Sequence, residues 1–474
     1  MFLGVPQKVV AQELDFDEQR LKAYELALDL QPKEALALTG QESDVTSTYI
    51  ASMAEATELL VTEDFTLFST YEERFQQRLD RKLKGSARAY QYLQAEIRLH
   101  WAFVYLKFGH ELDAALQLRQ AFQVAMECRS KYPDYLPIRK TAGLLEIIIG
   151  SVPEKYNWVL HLLNMRGSVS AGLNDLATVA GSDSPLAREG QLLLALANGY
   201  VLGRPEEALD ILQNYLNDHP ENRLGLFFAA GLALKNGRNE AALQFLETLK
   251  NTASDTPLYY ADYLRGEALL HKADYVNSVA AYRWFIQHQR GQNYIKDAWY
   301  KIGLCYWLNG NENDAYEAFG EARKQGKEDT EADKSAARSL SSGQLPNIKL
   351  SRVRYFTDGG YYSEAAQVLD AITSMDLPER RDQVEYYYRK ARLAHQAGKP
   401  EAMAFYMETI RMTGQENWYF APNACLQLGY LYVAENKLKE AEEYFQRALS
   451  YRRHEYKNSI DAKARLALAQ ISRM

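Results

Sequence analysis

The eight histidines of the 474-residue chain are His100, His110, His161, His219, His271, His288, His395 and His454. No two stand at the one-turn spacing that puts paired imidazoles on one helix face around zinc, and none has a cysteine at ligand spacing. Cys128, Cys305 and Cys425 are far apart and each falls in a helical pattern, so buried free thiols are expected rather than a disulfide framework. The nearest approach to a phosphate loop, Gly320 to Gly326-Lys327, has five residues between its glycines where the loop needs four. Glu328 stands where a magnesium-binding hydroxyl belongs. Ser168 and Ser170, between Gly167 and Gly172, do not make the Gly-x-Ser-x-Gly elbow that exposes a nucleophile. The glycine fingerprint for dinucleotides is missing as well. No catalytic residue, cofactor or metal site is expected, and the chemistry left to the chain is recognition.

The elements that must carry it are announced by a short polar turn that recurs eight times. It reads Phe108-Gly109-His110-Glu111, Leu202-Gly203-Arg204-Pro205, Asn236-Gly237-Arg238-Asn239, Lys272-Ala273-Asp274-Tyr275, Asn309-Gly310-Asn311-Glu312, Asp358-Gly359-Gly360-Tyr361, Ala397-Gly398-Lys399-Pro400 and Glu435-Asn436-Lys437-Leu438. Helical runs lie on both sides of each turn, and Gly199, Gly231, Gly266 and Gly303 recur at 32, 35 and 37 residues. A period of this size means helix pairs stacked on their neighbours. Two units fix the register. From Lys296 they place Trp299, Ile302, Gly303, Tyr306, Ala315, Phe319 and Ala322, and from Pro422 the equivalent Cys425, Leu428, Gly429, Tyr432, Ala441, Phe445 and Ala448. The small residues let two backbones approach and the rings fill what remains.

This pattern resembles the tetratricopeptide repeat, whose signature is a large residue, Leu-Gly and Tyr on one helix, then Ala, Phe and Ala on the next. The resemblance implies an all-α fold, a right-handed α-solenoid of stacked antiparallel helix pairs, and a non-enzymatic scaffold for protein interaction. Five regions are expected: an N-terminal helical cap or degenerate repeat (1–85), a divergent repeat-like region (86–185), a regular array (186–325), a charged insertion (326–345) that holds a short helix at Ala332 to Leu340, and a C-terminal array with a closing helix (346–474). In the first, Leu21 to Leu30 reads as one amphipathic helix ending near Pro32, with further helices from Tyr49 to Leu60 and Phe65 to Leu83. Thr141 to Ala180, dense in apolar residues around Trp158, reads as a buried helix pair, with a membrane-surface segment as the alternative.

Bulk composition narrows the partner. The chain is 47% hydrophobic and 25% charged, ordinary for a folded protein, and carries a formal charge of −7, which argues against a nucleic-acid backbone. Tyr451 to Lys457 is the one C-terminal basic segment and reads as a solvated helix end. No run approaches the roughly 18 apolar residues of a membrane span. Met1 to Ala11 reads either as the tail of a trimmed export signal or as an ordinary terminus, so a cytoplasmic and an exported, periplasmic location both stay open. Thirty-three tyrosines against seventeen phenylalanines exceed what the repeat positions require.

In the family that the pattern resembles, positions 2, 5, 9 and 12 of the first helix line the concave groove. Carried over, they give Tyr260, Tyr263 and Glu267; Asp297, Tyr300, Leu304 and Trp307; Tyr388 and Arg392; and Asn423 and Tyr430. The Lys and Asn that clamp a terminal carboxylate in some members are absent. The aromatic stripe suits a protein or peptide partner, including one in an assembly or envelope complex; an accessory glycan- or lipid-binding solenoid is the alternative. Packing of these rings between repeats competes with either use.

Overall fold

The computed structural model describes residues 14–152 and 165–472. These residues form 24 α-helices, most of them joined in antiparallel pairs, and the architecture is an α-solenoid. No described helix is long and apolar enough to cross a membrane. All eight recurrent turns end a helix with one residue in the left-handed region: Gly109, Gly203, Gly237, Ala273, Gly310, Gly360, Gly398 and Asn436. That conformation closes the last helical turn, and only glycine enters it without a Cβ penalty. Six glycines and an asparagine in these eight turns are therefore a backbone requirement written into the sequence.

The helices divide into two compact units. The first comprises residues up to 236, 240–264 and 284–292. It opens with helices Glu18–Leu28, Pro32–Thr39, Val45–Thr62 and Phe65–Asp80. Pro32 begins a helix instead of closing the preceding one, because a first-turn position needs no N–H from proline. Side chains of Asp17, Asp44, Asp64 and Ser86 accept the orphan N–H groups that follow them. Helices Ala87–Lys107 and Glu111–Lys131 then pair, followed by Leu136–Gly150 against Val169–Ala180. Two glycine contacts bring this last pair together. A Cβ at Gly172 would collide with the Gly143 carbonyl, and one at Gly167 with the Gly150 nitrogen. Leu145, Ile147 and Ile149 are fully buried there, as the buried-pair reading requires. Trp158, on which the membrane-surface reading leaned, lies outside the described residues.

At the centre of the first unit sits a closed knot of charge. Lys140, 1% exposed, donates to Glu96 at 2.9 Å, to Glu189 at 2.6 Å and to the Tyr49 hydroxyl at 2.9 Å. Tyr24 and Tyr49 donate to the other oxygen of Glu189, Thr141 donates to Glu96, and His100 lies 3.4 Å from Glu96. Burial works against a charged Glu96, but Lys140, with help from His100 and Thr141, holds its carboxyl at about 2. Burial likewise opposes the ammonium of Lys140, and Glu189 and Glu96 override it. Five helices far apart in sequence meet on these side chains.

The second unit comprises 237–239, 265–283 and 293–472. Its pairs are Ile295–Leu308 with Glu312–Lys324, Ile348–Gly359 with Tyr362–Asp370, Arg380–Gln396 with Ala402–Thr413, and Phe420–Ala434 with Leu438–Ser450, closed by Lys457–Ile471. Small residue against ring is the recurring joint. A Cβ at Gly303 would meet the Phe319 ring, one at Gly429 the Phe445 ring, and one at Gly266 the Tyr282 ring, all closer than van der Waals contact allows. The charged segment after Lys324 holds helix Glu331–Ser342, whose Asp333 is fully buried. Asp333 accepts the Tyr294 and Asp297 N–H groups at 2.8 and 3.0 Å, so the added helix fixes the start of Ile295–Leu308. Cys305 and Cys425 are buried in this unit and Cys128 in the first. Burial pushes their thiols up, to about 12, 12 and 11.

Candidate functional site

The residues expected to line a groove divide into several environments. Tyr260 and Tyr263 belong to the first unit; their rings stack at 5.1 Å, and Tyr263 packs edge-on against Phe285. The others belong to the second unit. Glu267 accepts from the Tyr282 hydroxyl and from Lys301 at 2.5 Å, and Asp297 lies 3.8 Å from the same ammonium. Burial opposes the charge on Glu267, and Lys301 nevertheless keeps its carboxyl below the usual range. Trp307 donates its indole N–H to the Pro346 carbonyl at 2.9 Å, and the Tyr300 ring lies 5.6 Å from Phe319. Tyr263, Asp297 and Tyr388 are buried, so their rings and carboxylate serve packing.

Around Arg392 the arrangement is different. Its guanidinium donates to Gln427 at 3.2 Å, and Gln427 donates to Asn423 at 3.2 Å, which joins two of the expected residues through one that the repeat positions do not include. Tyr388 packs beside Tyr419 at 5.5 Å, and Tyr419 beside Tyr456 at 5.3 Å. Arg389 donates to the Tyr419 hydroxyl at 3.2 Å and to Glu385 at 2.6 Å. Arg354 lies over the Tyr355 ring and 3.5 Å from Asp358, with its side chain still 46% exposed. Tyr456 is 41% exposed and Lys463 is exposed.

The electrostatics are lopsided. Desolvation and then the neighbouring Arg392 guanidinium lower the Lys463 amine, although solvent reaches it. The same two causes hold the His395 imidazole at about 4. Burial pushes the Tyr388 and Tyr406 hydroxyls up to about 12, and those of Tyr355 and Tyr419 up as well. They remain donors at neutral pH. Arg354, Tyr419, Tyr456 and Lys463 fall outside the four repeat positions that the family pattern reads, and Lys463 sits on the closing helix beyond the last repeat. The signal available in the sequence was the recurrence of Arg beside Tyr, in Arg354-Tyr355 and Tyr388-Arg389.

Family models described as tetratricopeptide repeat match residues 202–261, 297–332 and 422–455. The chain carries tetratricopeptide repeats. The last two matches coincide with the units that begin at Lys296 and Pro422. Among solved structures, a human IFIT1 dimer with PPP-AAAA is similar at 14% identity over 92% of this chain and 95% of that one, with a TM-score of 0.38. A tetratricopeptide repeat protein from Parabacteroides merdae is 17% identical over 69% of this chain and 99% of its own, TM-score 0.22. The tetratricopeptide domain of P58(IPK) is 16% identical over 79% and 99%, TM-score 0.21. A search of curated proteins finds no match. Tetratricopeptide-repeat proteins are generally non-enzymatic, and the repeats support an interaction or scaffold role. Among the described residues, no group of three or more His, Cys, Asp or Glu is placed to hold a metal ion.

Proposed function

We propose that this tetratricopeptide-repeat protein is a scaffold that holds a segment of a partner protein along the tyrosine- and arginine-lined face of its second unit. The observation that carries the reading is the open cluster around Arg392. Here the exposed Tyr456 ring packs edge-on against the half-buried Tyr419, whose hydroxyl accepts from Arg389, and the Arg354 side chain beside Asp358 is open to solvent. Tyrosine and arginine supply large contact areas with polar ends, the pairing that dominates binding hot spots. Tyr260 and Tyr263, in the first unit, contribute a separate stacked pair and are not needed for this site.

A photo-reactive benzoylphenylalanine placed at Tyr456 tests the reading, with the same group at exposed Leu112 of the first unit as control. The expected result is one defined polypeptide segment, mapped by mass spectrometry, cross-linked through position 456 and absent from 112. Adducts that are the same at both positions, or none at 456, would remove the second-unit face from consideration.

A further inference from the structure

We propose that helix Glu331–Ser342 is a built-in cover on the face that holds the partner, and that a partner segment binds by lifting this helix off. The inference rests on the interaction reading above and adds how access to that face is controlled. The helix belongs to the stretch between Lys324 and Ile348, which is much longer than the links between the other helix pairs of the second unit. It lies alongside Ile295–Leu308 from end to end. Asp333 near its start accepts the Tyr294 and Asp297 N–H groups at 2.8 and 3.0 Å, and beyond its end the Pro346 carbonyl accepts the Trp307 indole N–H at 2.9 Å. Its other contacts reach a helix start 121 residues away: Ser335 shares a hydrogen bond of 3.4 Å with the Tyr456 hydroxyl, and Arg338 stands over the Tyr456 ring at 5.7 Å. A segment of the same chain thus engages Asp297 and Trp307, two residues expected to line the groove, and covers one side of Tyr456, the exposed ring of the proposed site.

Little holds the helix down. Its buried side chains are Asp333, Ala336 and Leu340, of which Leu340 is the one large apolar group. Lys334, Ser335, Ala337, Arg338 and Ser339 between them are half-buried or exposed. An element with so few buried apolar contacts opens locally at a cost below that of global unfolding. The contacts at Tyr456 add little, because water replaces a surface hydrogen bond and an exposed cation–π contact when they part. The tethers are long enough for the movement. Residues 325–330 and 343–347 extend to about 20 and 16 Å, against a helix diameter of about 10–12 Å. Gly343 ends the helix in the left-handed region with nothing within 4 Å of its Cβ position, so the tail has room to turn. Lifting the helix frees the Trp307 indole and the Arg338 side of the Tyr456 ring, while the Tyr419 side stays as it is. Each freed group offers an apolar body with a polar end, the kind of surface that a polypeptide segment covers well. Until then a partner competes with a helix that its tethers hold at high effective concentration.

Benzoylphenylalanine at position 456 of the full-length protein reads the cover directly. Alone, the protein should cross-link within its own chain, to Ser335, Arg338 or their neighbours. With native extract, an adduct to the partner segment should grow at the expense of the internal one. Asp333→Ala releases the start of the helix and Leu340→Ala its end through a different contact, and each should raise the ratio of partner to internal adduct about tenfold. Hydrogen exchange read by mass spectrometry should show 331–342 exchanging about tenfold faster in both variants with 420–450 unchanged, which also establishes that the variants fold. Partner adducts whose ratio is the same in the wild type and both variants would overturn the cover and leave the interaction site in place. So would an internal adduct that keeps its full yield beside the partner adduct, since the partner then binds with the helix down. Exchange of 331–342 in the wild type as slow as that of 420–450 overturns it too, because the helix then opens only with the whole unit. If no partner adduct forms in the wild type or in either variant, the interaction reading fails and takes this inference with it.

Discussion

Around Lys140 one ammonium meets two carboxylates and a ring of tyrosine hydroxyls with almost no water; around Arg392 the Arg354–Asp358 pair and the Tyr419 and Tyr456 rings stand with water at hand. Both clusters mix the same residue types, and both draw on the surplus of tyrosine. They differ in their access to water. In the closed cluster each carboxylate has its cation and hydroxyl donors inside the protein, and these side chains fix how five helices meet. The open cluster keeps Arg354, Tyr456 and Lys463 exposed, and polar groups still in water are the ones that a partner can engage.

The largest effect that tests this contrast comes from the closed side. Lys140→Met strands Glu96 and Glu189 without their cation and should lower stability by about 3–5 kcal/mol, read as a fall in the urea midpoint with loss of helical signal. Adding Glu96→Gln and Glu189→Gln should restore most of it, because the penalty is an unpaired buried charge and not a missing bond. A single variant as stable as the wild type would mean that water enters the knot, and the two regions would no longer be opposites.

Volume, unlike charge, should matter as much under the open cluster as anywhere. Gly303→Ala drives a methyl into the Phe319 ring, on which Tyr300 rests, and overpacking of this kind costs about 1–3 kcal/mol. The same substitution at Gly320, where a Cβ meets nothing within 4 Å, should be neutral or slightly stabilising. If both behave alike in thermal unfolding, the Gly–Phe joint is not what holds the pair.

Acid separates the regions by window. His395, beside Arg392, is held at about 4 against an ordinary 6.5, so its contribution is complete above 6.5 and is lost as pH falls toward 4. Glu96 is held at about 2 against 4.5, so the closed knot keeps its contribution until pH drops below 4.5. The urea midpoint should therefore begin to fall between pH 6.5 and 4. His395→Gln should make that first limb shallower, with His219 and His271, also lowered by burial, supplying the rest, while leaving the lower one. An unchanged first limb in the variant would show that solvent screens His395 from Arg392.

Legibility followed sequence distance. The turns were readable because a left-handed residue must sit at each helix end, and the Gly303–Phe319 and Gly429–Phe445 joints because both partners fall within one repeat. Pro32 misled because one proline is compatible with stopping a helix and with starting one. The Lys140 knot stayed hidden: its members lie near residues 24, 49, 96, 140 and 189, with no spacing to connect them, and the visible hint was only a charge inside apolar helix faces such as Leu93 to Ile97. Arg392 and Asn423 were reached through repeat positions. Arg354 and Lys463 were not, since neither stands at one of the four repeat positions that the family pattern reads.

The sharpest comparison removes one lysine from each cluster. Lys463→Gln should leave stability within about 0.5 kcal/mol of the wild type, or raise it slightly, because desolvation and then the Arg392 charge already oppose its ammonium. The residue type, the helical setting and the lost charge are the same as for Lys140, so the difference between the two outcomes isolates the surroundings. A destabilisation comparable to that of Lys140→Met would mean that Lys463 already has its anion inside the protein, which would make the cluster structural and leave no charge for a partner to meet.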